Sequence, residues 1–233
     1  MSSGTAATMH PTSRGAAVYS GVRDAILRHA LAPGTKLAED ELGGIYGVSR
    51  TIVRSALQGL AADRLVILEP NRGAFVAKPS TREAREVFEA RALLEPKVAA
   101  LAAEVAKPGD AARLRAHLEE EHAATRAGKD GEALVLSAKF HIGIAELAGH
   151  SIYTEFVRDL CSRSSLIIAL YWKRRDTTCE SHAHNALVEA IAGNRPQDAA
   201  ELMTSHLVDL LSGLDLSQRP PGKTSLAEAL RGA

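Results

Sequence analysis

Cysteine is scarce in this 233-residue sequence, and aromatic residues make up only 4% of it. The two cysteines, Cys161 and Cys179, are too few for a disulfide framework and match no zinc or redox spacing. The chain must therefore fold on its apolar core, for which 45% hydrophobic residues suffice at this length. Long apolar runs are missing as well: the longest, residues 166–172, falls far short of the roughly 20 residues that span a bilayer. Residues 1–15 are small and polar, with no apolar centre of the kind a secretory signal needs. These features point to a soluble protein of a reducing cytoplasm, with no membrane partner. Excess charge of one sign is lacking too, since the formal net charge is zero, which argues against a general nucleic-acid coat. No Gly-rich phosphate loop or nucleophile elbow is present.

The charge that is present is unevenly placed. Residues 1–80 carry nine Lys/Arg against six Asp/Glu, while the remainder is acidic by a similar margin. A small basic head on an acidic body fits that division. In the head, Val18, Val22, Ala25 and Ile26 form one helical stripe that ends at Ala32-Pro33-Gly34-Thr35. A short second helix runs from Glu39 to a stop at Tyr46-Gly47, its acids in the first turn beside the positive dipole end. Ser49 is placed as the N-cap of a third helix whose buried stripe is Ile52, Val53, Ala56, Leu57 and Leu60. Leu65-Val66-Ile67-Leu68 and Ala74-Phe75-Val76-Ala77 then read as two strands around Glu69-Pro70-Asn71-Arg72-Gly73. Three helices and a hairpin make a winged helix-turn-helix over residues 15–78, behind a disordered arm at 1–14.

Beyond a linker at 79–81 the pattern is helical throughout. Breaks near Pro108-Gly109, Gly128-Lys129, Gly149-His150, Asp176-Thr177 and Asn194-Arg195 divide residues 82–216 into about six helices of an antiparallel bundle, followed by a flexible tail at 217–233. The fold class expected is mainly α: a winged helix-turn-helix followed by an all-helical bundle.

A DNA-reading helix must point its first-turn side chains at base edges while its apolar side packs inward. The third helix does both. Arg50 and Arg54 lie one turn apart on its outer face, and arginine bonds guanine bidentately. Ser49 and Thr51 can bond phosphates at the helix start, and Arg72 with Gly73 sits where a wing would touch the backbone or minor groove. Two arginines on a helix are by themselves an ordinary solvated face; it is the whole order of helices, turns and hairpin that favours DNA. The run Leu31-Ala32-Pro33-Gly34-Thr35-Lys36-Leu37, Gly47-Val48-Ser49-Arg50-Thr51, Val53-Arg54-Ser55-Ala56-Leu57 and Pro70-Asn71-Arg72-Gly73-Ala74-Phe75-Val76 resembles the GntR-type transcription regulators. That resemblance implies DNA contacts at Arg50, Thr51 and Arg54, with Arg72 and Gly73 in the wing. Ile52 stands where the family usually has proline.

Three of nine histidines fall on inward stripes: His141 with Ile144 and Ala148, His184 with Leu187, Val188 and Ile191, His206 with Met203 and Leu210. Each alone reads as an ordinary core residue. Together they could hold zinc, nickel or manganese. Arg91-Ala92-Leu93-Leu94-Glu95, Phe140-His141, Leu147-Ala148-Gly149 and the spacing of His184 to His206 resemble the FCD effector domain of the FadR-like branch. The resemblance implies a metal on His141, His184 and His206, with Ser137 at the position of an aspartate ligand, and Arg91 facing the effector cavity to clamp a carboxylate. Arg91 could equally be a surface residue paired with Glu95. His182 and Glu180 are weaker candidates for the cavity, while Arg113, Arg115 and Glu119-Glu120-Glu121 read as a solvated face. Tyr171 and Trp172 could pack at the cavity or at a dimer contact.

The function expected is a homodimeric regulator, a repressor, that reads a pseudo-palindromic double-stranded operator and is released by an organic-acid effector. The alternative is a metal-dependent hydrolase or lyase. It would need an acid or base beside the metal, and no carboxylate flanks the histidines at a helical spacing that points with them, Glu180 aside.

Overall fold

The structure is a computed structural model that describes residues 13–27, 30–172 and 178–217. The expected arm and tail lie outside these apart from Ser13, Arg14 and Ser217. In the head, α1 (Ser13–Leu27), α2 (Glu39–Tyr46) and α3 (Arg50–Ala62) enclose a core of Val18, Val22, Ile26, Leu42, Val53, Leu57 and Leu60. Helix α1 thus begins earlier than the stripe from Val18 implied. Gly47, at φ 62°, ends α2 in the left-handed conformation that glycine adopts without strain. Ser49 occupies the N-cap of α3 in extended backbone, but its side chain makes no capping bond, which corrects the capping expected of it.

The wing has one strand more than the sequence pattern showed. β1 (Lys36–Leu37), β2 (Val66–Glu69) and β3 (Gly73–Val76) form an antiparallel sheet in the order β1-β3-β2, with Leu37 opposite Ala74 and Glu69 opposite Gly73. Two residues are too few to show alternation, so β1 is legible only from its partner.

The body consists of α4 (Thr81–Val105), α5 (Pro108–Arg126), α6 (Asp130–Leu147), α7 (Ser151–Tyr171), α8 (Thr178–Ala192) and α9 (Pro196–Ser212). The stretch read as a linker carries the cap of α4, where the Ser80 hydroxyl accepts from the Glu83 N–H at 3.1 Å. Short loops make α5–α6, α6–α7 and α8–α9 packed neighbours, and α4 lies along α9 through the core. Head and body share a boundary. Leu166 and Ala169 of α7 are buried in the head core, the Ser162 hydroxyl donates to the Asp63 carbonyl of the head, and the Tyr171 hydroxyl donates to the Pro79 carbonyl at 2.8 Å. Tyr171 is therefore a core residue that ties α7 to the segment after the wing.

Candidate DNA-reading face and buried histidine centre

Ser49, Arg50, Thr51 and Arg54 are all exposed on the first turns of α3, while Val53, Ala56, Leu57 and Leu60 face inward. The apolar stripe alone dictates that division, because residues at the other helical phases have nowhere to go but solvent. The arginines nonetheless have partners. Arg54 donates from Nε and Nη2 to the Glu39 carboxylate at 2.9 and 2.8 Å, and Arg50 donates from Nη2 to Asp40 at 2.7 Å. Both acids stand in the first turn of α2, where only their effect on the helix dipole was anticipated. In the wing, Arg72 pairs with Glu69 and its guanidinium lies 5.5 Å from the Phe75 ring centre. Gly73 has φ 100°, a conformation that disfavours a side chain there.

The body holds a second constellation, sealed from solvent. His141 on α6, His184 on α8 and His206 on α9 are 3%, 0% and 4% exposed. Their three ligand nitrogens lie within 4.8 Å of one another: Nε2 of His206 is 3.1 Å from Nε2 of His184 and 3.3 Å from Nε2 of His141. Each ring is delivered by a different helix, and each has apolar neighbours one turn away that force it inward. Two carboxylates stand behind the rings. Glu95 of α4 lies 2.6 Å from His141 Nδ1, and Glu121 of α5 lies 3.2 Å from His184 Nδ1. A carboxylate at Nδ1 requires a proton there, so the Nε2 lone pairs of His141 and His184 both point to the centre.

That arrangement leaves the centre short of hydrogen. His206 Nε2 can donate one proton to one of its two neighbours, and the remaining lone pair has only another ring nitrogen opposite it. A divalent ion removes the conflict. Tetrahedral coordination with bonds of about 2.0–2.1 Å sets ligand nitrogens about 3.3 Å apart, close to the 3.1 and 3.3 Å that separate His206 Nε2 from the other two. Carboxylates behind the imidazoles are the usual outer shell of such sites. The residues present therefore fit a metal of this class. Ser137 lies on α6 one turn before His141 and is half-buried, and a hydroxyl there is a poorer ligand than the carboxylate the resemblance implies.

The expectation that no carboxylate but Glu180 flanks the histidines at a helical spacing that points with them concerned their own helices; Glu95 and Glu121 reach the rings from α4 and α5. Glu121 had been assigned to a solvated face, yet it is 5% exposed. A signal existed: Leu114, Leu118 and Glu121 follow one buried stripe at spacings of four and three. The same holds for Arg91 and Glu95, which continue the stripe of Ala84, Val87 and Phe88 into Val98 and Ala102. Arg91 is 2% exposed, so the reading of it as a surface residue falls, although its pairing with Glu95 stands. Its Nε donates to Glu95 at 2.5 Å, Nη2 donates to the other oxygen at 3.3 Å, and Nη1 donates to the Ser164 hydroxyl at 2.9 Å. His182 is exposed, and the Glu180 side chain lies outside the described residues.

Electrostatics agree with this geometry. Burial pushes the Glu95 carboxyl up, but the Arg91 charge and the hydrogen bonds from His141 and Arg91 outweigh it and hold the group at about 2. Burial pushes both His141 and His206 down, His206 well below the usual histidine range with help from the neighbouring imidazoles. Both rings are therefore neutral at pH 7, as metal ligands must be. A pH dependence of stability follows. Above about pH 6.5 these histidines are neutral folded or unfolded; below it the unfolded chain takes up protons that the folded one refuses, and stability falls. For protein stripped of metal by a chelator, the melting temperature should be level from pH 8 to 7 and decline from about 6.5 downward, less steeply in His206→Gln. A melting temperature that stays level to pH 5 would count against neutral, buried imidazoles.

Comparison with known proteins places both halves. Residues 14–76 match the family of bacterial regulatory proteins called gntR, and residues 86–209 match the FCD domain. The Nta operon transcriptional regulator of Aminobacter aminovorans is 27% identical over 175 residues, 75% of this chain and 82% of that protein. The transcriptional repressor RspR of Escherichia coli is 28% identical over 143 residues, 61% of this chain and 63% of RspR. A solved GntR regulator from Rhodococcus sp. RHA1 superposes with a TM-score of 0.70 at 25% identity, covering 86% of this chain and 97% of that one. With its winged head and its FCD body both matched, this chain belongs to the gntR family of transcription regulators, binding DNA through the head and an effector through the FCD domain.

Proposed function

We propose that the protein is a cytoplasmic, homodimeric, metal-containing repressor whose effector is an organic acid. The observation that carries the reading is the convergence of three imidazole nitrogens, two of them backed by carboxylates, inside a body that packs directly on the DNA-binding head. Two carboxylates against one guanidinium leave the centre with room for positive charge. His141, His184 and His206 would hold a zinc, nickel or manganese ion, which when bound supplies a Lewis-acidic position for an effector carboxylate. Ser137 sits one turn from His141, where its hydroxyl could bond that carboxylate. Arg91 would reach the effector only by giving up Glu95; bound as it is, it fixes Glu95 and through it the His141 ring.

At the other end, Arg50, Thr51 and Arg54 would enter the major groove, Ser49 would bond a phosphate, and Arg72 with Gly73 would follow the backbone or minor groove. Paired half-sites call for a dimer. Repression is supported by what RspR is named for, and release by ligand requires that the effector favour the arrangement that binds DNA poorly. The helix α7 is placed to carry that preference, since Ser164 accepts from Arg91 at the buried centre while Leu166 and Ala169 lie in the head core. The hydrolase alternative gains nothing from Glu95, whose carboxylate is already held by Arg91 and His141.

Elemental analysis of full-length protein, purified without an affinity tag or chelator, tests the reading. About one transition-metal ion per chain should be present and should be lost in His184→Ala, with zinc added back raising the melting temperature of the stripped wild type only. Metal-free protein that zinc does not stabilise would remove the metal from the function.

A further inference from the structure

The recognition arginines are held in the same way. Glu39 takes the Nε and Nη2 edge of Arg54 with its two oxygens, and Asp40 takes the Nε and Nη2 edge of Arg50. These are surface pairs, with 64% and 69% of the arginine side chains exposed, so packing does not impose them. A guanidinium offers two forks in one plane, Nε with Nη2 and Nη1 with Nη2. The acids occupy the first. The second still offers two parallel donors, as bidentate bonding to O6 and N7 of guanine requires.

Charge matters as much as direction. An arginine with no acid beside it is drawn to the nearest phosphate, where it adds affinity but carries no sequence information. Glu39 and Asp40 are anchored themselves, because both stand in the first turn of α2 where the helix dipole favours carboxylates. The Arg54 hydrogen bond also holds the Glu39 carboxyl below the usual carboxylate range, so the acid stays ionised near neutral pH.

We propose that Glu39 and Asp40 are positioning residues for base reading: each holds its arginine by one fork, presents the other to a guanine edge and neutralises the charge that would pull the side chain to phosphate. This rests on α3 as the DNA-reading helix. It makes the first turn of α2 a determinant of specificity without any contact to DNA.

Selection of duplexes from a random pool by the full-length chain tests it without knowledge of the operator. Wild type should enrich a sequence, and the guanine preference that disappears in Arg54→Ala marks the base read by that residue. In Glu39→Ala the same preference should fall about tenfold, while binding to unrelated duplex should strengthen and its salt dependence steepen by about one phosphate contact per half-site. Glu39→Gln, which keeps one acceptor, should fall between. Asp40→Ala should act in the same way at the base read by Arg50. Melting temperatures should stay within a few degrees of wild type, as exposed pairs contribute little.

If Glu39→Ala enriches the wild-type sequence with undiminished preference, the proposal is overturned, and a uniform gain in affinity for all duplexes would make the acids a simple electrostatic brake. A wild-type chain that enriches no sequence removes both this inference and the DNA-reading role of α3.

Discussion

Arg54→Ala should abolish sequence-specific DNA binding while leaving the fold intact. A bidentate arginine–guanine contact discriminates by roughly 5- to 150-fold, and a two-fold dimer makes it twice, so the loss compounds across half-sites. Fluorescence anisotropy with a selected duplex would show the specific affinity falling toward that for unrelated DNA. The Arg54 side chain is largely exposed and its one ion pair is at the surface, so circular dichroism melts should hardly move. Arg72→Ala provides the contrast. A wing arginine on the backbone should weaken binding to all sequences alike and reduce the salt slope by about one. If Arg54→Ala instead retained its preference, α3 would not be reading bases through this residue.

The largest effect on stability should come from Arg91→Met. Arg91 and Glu95 are both almost wholly buried, and their partners form one chain from Ser164 through Arg91 and Glu95 to His141. Removing the guanidinium leaves Glu95 charged in the core with only the His141 N–H to balance it. Such uncompensated charges cost about 3–5 kcal/mol, which for a chain of this size lowers the melting temperature by roughly 6–20 °C. The double variant Arg91→Met, Glu95→Leu should recover much of that loss, because no orphaned charge remains. Recovery of stability without recovery of metal binding would show that the pair serves the His141 orientation. A single variant as stable as wild type would mean that the pair is not ionised as drawn.

Local pattern made much of this protein legible in advance. The stripe of Val53, Ala56, Leu57 and Leu60 determines which face of α3 is wet, and hence that Arg50, Thr51 and Arg54 point outward together. The same periodicity placed His141, His184 and His206 on inward faces, and glycine and proline marked the breaks between helices. All of these are properties of a residue and its neighbours within a turn or two. The sequence alone therefore determined the winged head, the helical body, the exposed face of α3 proposed to read DNA, and the candidate ligands.

What only the tertiary structure decided is which groups meet across elements. Glu95 and Glu121 reach the histidines from α4 and α5, and whether an acid on one helix touches a ring on another depends on the packing of both. Arg91 was open to a surface or a cavity reading until its fork was found closed on Glu95 and Ser164. Glu39 and Asp40 were visible as dipole acids, but their grip on the α3 arginines depends on how α2 lies against α3. β1 needed β3 beside it to exist as a strand. The physical reason is common to these cases: helical and strand periods encode the face on which a residue lies, while distances between faces are set by the packing of the whole core.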